Sequence, residues 1–393
     1  MSSSREATHA GSWYSDHEPT LSSQLNKWLS QVPNELPGLG RLPVPGARII
    51  IAPHAGYAYS GPCAAWAYKM LDLSKAKRIF LIGPSHHHYL STIALPQLTR
   101  YLTPLSPDPL LLDTDLITHL LSTTTNPRFT TMSPAVDSAE HSLELHLPYI
   151  HHLIRTLYPT KPATAYPRLV PMMVGSTSAA TEAAFGALLA PYLADETNAF
   201  IVSSDFCHWG LRFGYTYYVP DVHMPAPALP LSYPKLPLPM PMPSAARGSS
   251  SPAAIAGTQA AIDAVSGGGA FKARSRMLNG GAGVAYIHES ISACDVACMK
   301  AIASGETALF LDALRKTGNT VCGRHPIGVV MAGLEAVRKG SGEGEGEEDN
   351  ESGGNGDREL EKGKFYFVRY ERSSDVVAVA DSSVSYVSAF AVL

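Results

Sequence analysis

Four short segments concentrate the side chains of this chain that bind metals or move protons. They are Pro53-His54-Ala55-Gly56-Tyr57, Gly83-Pro84-Ser85-His86-His87-His88, Ser203-Ser204-Asp205-Phe206-Cys207-His208 and Cys322-Gly323-Arg324-His325-Pro326. Imidazoles, a carboxylate and a thiol are the usual ligands of a divalent transition metal. Cys322, ahead of a helix expected near Pro326 and flanked by Arg324 and His325, is expected to have a lowered pKa, which suits a ligand, a nucleophile or a redox target. Each signal alone is weak. A lone turn histidine usually bonds to local backbone, and His86, His87 and His88 cannot all face one pocket. Asp205 and His208 stand three apart, and Ser203, Ser204 or Asp205 would equally suit a helix cap. In Glu140-His141-Ser142-Leu143-Glu144-Leu145-His146 the two histidines are five apart, so the zinc-protease spacing HExxH is not met. His141 could still supply an acid–base group, and Glu144 could position another side chain. Cys207, Cys294 and Cys298 read as packing residues.

The elements that must position these groups are legible from period and punctuation. Arg48-Ile49-Ile50-Ile51-Ala52, Arg78-Ile79-Phe80-Leu81-Ile82 and Ala199-Phe200-Ile201-Val202 are short apolar runs closed by Gly, Pro or Ser, the pattern of buried strands. Each precedes one of the first three segments, and in open α/β sheets ligands bind at the carboxyl ends of strands. Leu21, Leu25, Trp28 and Leu29 share a helical face over 19–31. Further helices are expected at 61–71, 141–157, 178–193, 284–302, 306–316 and 325–338. Strands are expected at 168–174, 365–368 and 384–392. Strand–helix–strand order implies crossover helices and a parallel sheet, an α/β domain. The aromatic residues Trp13, Tyr57 and Tyr59 lie in turns near the crevice and could wall it.

Composition narrows the classes. The chain has 393 residues, 45% hydrophobic and 16% charged, which excludes a disordered protein. Six acids fall between Glu343 and Glu351; without them the formal net charge of −4 becomes +2. No clustered basic surface suggests nucleic acid, and no run approaches the ~20 apolar residues of a membrane span. Five cysteines without CxxC spacing, and an N-terminus without an apolar signal region, point to the cytoplasm, with the nucleus open as well. Two stretches break the pattern. Residues 219–282 begin with repeated proline, and residues 340–363 are Gly-, Glu- and Asp-rich. Both are expected to be disordered surface insertions in a single domain spanning 1–393.

The same segments resemble the Memo family, mediators of cell motility. The supporting residues are His9-Ala10-Gly11-Ser12-Trp13-Tyr14, Ile51 to Tyr57, Gly83 to His87, Glu140-His141-Ser142 with His146-Leu147-Pro148-Tyr149, Ser203 to Gly210, Cys322 to Gly328 and Asp381 to Tyr386. The resemblance implies a three-layer α/β/α domain around a largely parallel or mixed sheet, similar to class III extradiol dioxygenases, which use non-haem iron. It implies His54, His86 and Cys322 as metal ligands, with Asp205 and His208 beside them and no nucleotide cofactor. Those dioxygenases close a two-histidine, one-carboxylate triad on Fe(II), whereas here the third ligand would be a thiolate, which favours copper(I) or zinc and changes the redox potential of iron. Family roles are redox and metal handling with iron or copper, and phosphotyrosine-peptide binding in motility signalling. Three functions therefore compete. One is a metal-dependent oxidoreductase, and a second is a metal-handling or signalling module without turnover. The third is a hydrolase with Cys322 as nucleophile and His208 or His141 as base. The metal readings require His54, His86 and Cys322 to converge, with donors roughly 3–4.5 Å apart.

Overall fold

The computed structural model describes residues 3–123, 127–219, 222, 224, 226–227, 229, 285–340 and 360–393. Most of the two insertion stretches lies outside the described residues. Of the proline-rich stretch, Leu229 is buried in the main core.

Among the described residues, a nine-stranded sheet organises the fold. Its strands are β1 (Ala47–Ala52), β2 (Arg78–Pro84), β3 (Ile93–Pro96), β4 (Thr130–Met132), β5 (Arg168–Val174), β6 (Asn198–Ser203), β7 (His208–Trp209), β8 (Phe365–Arg372) and β9 (Ser383–Val392). The order is β7-β9-β1-β6-β2-β5-β3-β4, with β8 paired to β9. The four central strands β1, β6, β2 and β5 are mutually parallel. Antiparallel pairs join β9 to β1 and β3 to β5, so the sheet is mixed. Every residue of β1 and β6 is buried, as strands covered on both faces require.

Helices supply that cover, giving a three-layer α/β domain. On one side α1 (Glu18–Gln31) packs on α2 (Tyr57–Met70), which packs on β1, β8 and β9. On the other, α5 (Ala179–Ala194) and α8 (Arg324–Gly340) pack together over β2 and β6. Between them in sequence come α3 (His141–Glu144), α4 (Leu147–Leu157), α6 (Ile287–Ala303) and α7 (Thr307–Thr317). Leu21, Leu25 and Leu29 form the buried stripe of α1, as their spacing requires. α2 starts four residues earlier than its expected boundary of 61. Pro62 forfeits only the bond to Ala58, an exposed residue, so the helix runs through it. The expected helix over 141–157 is instead two helices, α3 and α4, because Leu145 and His146 break the run before Pro148.

No helix starts directly after β6, whose next element is β7. The backbone of Phe206 and Cys207 pairs with Ser385, and β7 then pairs with β9. Ser203 and Ser204 therefore cap nothing, and their hydroxyls are left for the site.

Candidate metal centre

Parallel strands end on the same edge, and that fact assembles the site. His54, His86 and Asp205 each lie two residues beyond the last residue of β1, β2 and β6. The loop between α7 and α8 brings Cys322 to the same edge. Cys322 N–H donates to Asp205 O (3.3 Å), and Gly323 N–H donates to Ser204 Oγ (3.1 Å). A Cβ on Gly323 would stand 2.4 Å from Ser203 O, so only glycine lets this loop lie against the end of β6.

Five ligand-type side chains from four segments of the chain meet there. Cys322 Sγ lies 3.2 Å from His54 Nε2. Donor atoms of His54, His86 and Cys322 all lie within 4.8 Å of one another. A second overlapping group, His86, Glu140 and His141, meets the same limit. The rings form a nest, with His54 to His86 at 5.1 Å, His86 to His141 stacked at 4.3 Å and Trp13 over His141 at 4.5 Å.

Protonation states suit ligation. Burial first, then the neighbouring imidazoles of His86 and His141, pushes His54 well below the usual histidine range, so it is neutral. Burial alone would raise Glu140, but the hydrogen bond and charge of His86 outweigh it and hold the carboxylate at about 2. An ionised carboxylate only accepts, so His86 Nδ1, 2.8 Å from Glu140 Oε1, carries a proton. A neutral His86 in that tautomer would present Nε2 to a ligand. Two imidazole nitrogens and one sulfur are a familiar donor set for zinc, copper or iron, and three protein ligands leave a position open.

Asp205 supports this centre from behind. Its Oδ1 accepts the His54 N–H (2.9 Å), and its own N–H donates to Cys322 Sγ (3.2 Å). Burial raises its carboxyl, against the pull of His208. His208 Nδ1 donates to Phe206 O (2.9 Å), and its N–H donates to Thr320 Oγ1 (2.7 Å), fixing the ring beside Asp205. His141 lies inside the ring nest. Burial and then His86 push it to about 3, and its Nδ1, 3.5 Å from Glu140 Oε1, has no hydrogen-bond partner among the described residues.

Three expectations are corrected. The Cys322 thiol is raised well above its usual range, not lowered, because burial and then the Asp205 carboxylate oppose the thiolate more than a helix two residues away favours it. Tyr57 does not line the crevice: it is 3% exposed, its hydroxyl donates to Leu145 O (2.7 Å), and it packs among Tyr14, Trp28 and Tyr149. The imidazole touching Cys322 is His54, in place of His208 or His141. Trp13 is partly exposed against His141, and Tyr59 is 61% exposed on α2.

The N-terminal segment is clamped under the site by a buried ion cluster. Glu144 accepts from Arg5 Nη1 (2.5 Å), His9 Nδ1 (2.8 Å) and the Tyr14 hydroxyl (2.8 Å), while Arg5 Nε also meets Asp137 (3.0 Å). Glu144 thus does position other side chains, those leading to Trp13. Glu140 and Ser203 were not legible as site residues. Glu140 adjoins His141 in sequence, but its partner His86 lies 54 residues away, and Ser203 looked like a helix cap.

The Memo-like protein family model matches residues 5–390 of the chain. A MEMO1 family protein of Schizosaccharomyces pombe is 34% identical over 388 residues, covering 98% of this chain and 98% of the relative. The proteins named MEMO1 of Homo sapiens and Danio rerio are 35% and 34% identical, each covering 97% of this chain and 95% of the relative.

Proposed function

This chain belongs to the Memo family, and from that premise we propose that it is a metal-binding protein holding iron or copper on His54, His86 and Cys322. The observation that carries the reading is the convergence of three donors from three separate loops within 4.8 Å. Metal binding would ionise the Cys322 thiol despite its raised pKa, since a coordinating thiol is deprotonated outright. The bound ion would supply redox chemistry and an open coordination position. Glu140 would hold His86 by its Nδ1 proton, and Asp205 would brace both His54 and Cys322. Trp13 and His141 would wall the open side and limit water.

We place the protein in redox or metal handling, with a dioxygenase-like pocket and a cytoplasmic role in motility or growth signalling. A phosphotyrosine peptide or signalling protein is the proposed partner class. If there is turnover, the donor set favours a non-haem metal-dependent oxidoreductase. The hydrolase alternative is weaker, because a strongly raised thiol is a poor nucleophile at neutral pH. No helix among the described residues is long and apolar enough to cross a membrane.

The test is metal analysis of protein purified without added metal, together with cobalt(II) titration. Wild type should bind one equivalent with a thiolate-to-cobalt absorption band, and Cys322→Ala should lose that band. Bound metal should also shield Cys322 from alkylation. A wild-type protein that gives no thiolate band, with Cys322 alkylated equally fast with and without metal, would sink the reading.

A further inference from the structure

We propose that Tyr68, His146 and Ser203 form a buried hydrogen-bond relay that fixes His54 as its Nδ1–H tautomer, so that Nε2 meets the metal site with its lone pair. The relay consists of positioning residues, and its role rests on the metal-binding reading above. The chain of contacts is continuous. Tyr68 Oη lies 2.8 Å from His146 Nδ1, His146 Nε2 lies 2.8 Å from Ser203 Oγ, and Ser203 Oγ lies 2.6 Å from His54 Nδ1.

Proton counting sets its direction. Ser203 has one hydroxyl proton, and Ser142 O, 2.7 Å away, can only accept it. Both imidazole nitrogens facing Ser203 Oγ must therefore be donors. His54 carries its proton on Nδ1, and Nε2 faces Cys322 Sγ as a lone pair. His146 carries its proton on Nε2, so its Nδ1 accepts from the Tyr68 hydroxyl. Every member is closed to water: Ser203 and His146 are fully buried, with Tyr68 at 1% and His54 at 2% exposed. With no water to substitute, the wrong tautomer at either histidine would leave facing lone pairs unsatisfied. The far end cannot swing either. The Tyr68 ring stacks on Tyr149 at 4.6 Å and 2°, and the Tyr149 hydroxyl donates to Gly61 O (2.7 Å).

A merely structural network would contribute stability without selecting a tautomer for a ligand. The two ideas separate in metal-free, full-length protein carrying 15N-labelled histidine. Long-range proton–nitrogen spectra, assigned with His54→Gln and His146→Gln, should show His54 as Nδ1–H and His146 as Nε2–H. Ser203→Ala removes the shared acceptor, so His54 should show mixed tautomers and cobalt(II) affinity should fall by ~10–100-fold, the usual effect of losing a partner behind a metal ligand. Tyr68→Phe removes one hydroxyl without adding bulk. It should scramble the His146 tautomer, leave His54 Nδ1–H, and weaken cobalt less than Ser203→Ala does. A wild-type His54 found as Nε2–H overturns the relay, as does a folded Ser203→Ala with unchanged cobalt affinity. If Ser203→Ala does not fold, the wild-type spectrum and Tyr68→Phe decide the matter. Absence of a thiolate-to-cobalt band in wild type would instead overturn the metal reading, and the tautomer spectrum would still judge the relay.

Discussion

Glu140 accepts three hydrogen bonds with two oxygens: His86 Nδ1 (2.8 Å) and Ser142 N–H (2.9 Å) on Oε1, and His86 N–H (2.7 Å) on Oε2. Glu140→Gln would turn one oxygen into an NH2 facing a donor, and no flip of the amide avoids that clash. Cobalt(II) affinity, measured by chelator competition, should therefore fall by ~10–100-fold while the thiolate band persists at saturation. Glu144 makes a prediction of the opposite kind, about stability. Burial would raise it, but the hydrogen bond of His9 and the charge of Arg5 hold it at about 2, below an unfolded value of ~4.3. A depressed carboxyl stabilises the fold above the unfolded value, and that contribution is lost as pH falls toward the folded one. Urea midpoints should thus drop between roughly pH 4.3 and 2, and Glu144→Gln should flatten that drop. At neutral pH the same variant should cost ~3–5 kcal/mol, because the buried Arg5 loses one of its two carboxylate partners. At this scale His54, the His86–His88 run and Cys322 stand out by type and by position after a strand or before a helix, and it is the family resemblance that singles out His54, His86 and Cys322 as a set. Ser203, His146 and Tyr68 do not, because their meaning lies in contacts spanning 57 to 149 residues, which no local period records.

Strand ends and one loop set the positions of these groups, so element-level changes should reach the site. Gly323→Ala is the sharpest case. Its new Cβ would meet Ser203 O and Ser204 Cβ at 2.4 Å, neither of them a flexible tip, so the Cys322 loop must lift off β6. We expect cobalt binding to weaken or vanish together with a fall in melting temperature. Gly186→Ala is its control. Gly186 packs α5 on α8, where a Cβ would meet Gly333 N at 2.6 Å, away from the ligands. It should cost ~1–3 kcal/mol of stability as overpacking does, with the cobalt spectrum unchanged. A Gly323→Ala protein that keeps wild-type cobalt affinity would show that the loop contact does not position Cys322. Elements with long apolar runs were readable: β1, β2, β5, β6, α1 and α5 fall within a few residues of their expected bounds. The region between β2 and α3 was not. Its strands at Arg100–Thr103 and Ser106–Leu111 are short, and the second carries Pro107 and Pro109, which argue against a strand in sequence but are tolerated at an edge.

At the scale of the whole molecule, the family match runs from residue 5 to 390 and so spans both compositionally odd stretches. The acidic one offers the cleaner experiment, because the described chain on either side of it is tied together. Arg338, near the end of α8, donates to Gly363 O (2.6 Å) and to Gly305 O (2.6 Å), so the two flanks meet at one guanidinium. Joining ends already held near each other requires little chain, and loop-closure entropy changes only slowly with length. The removed residues contribute seven acids and scarcely an apolar side chain, so little burial can be lost with them. Deleting residues 341–358 should therefore leave the melting temperature and the cobalt thiolate band as in wild type. The proline-rich stretch does not allow the same inference, since Leu229 within it is buried in the core. A deletion that takes Leu229 should destabilise by the ~2–5 kcal/mol of a lost buried leucine, whereas one starting after it should not. Calorimetry on the three deletions separates these outcomes. A large fall in melting temperature for the acidic deletion would mean that those residues are part of the packed domain, and that composition misplaced its boundary.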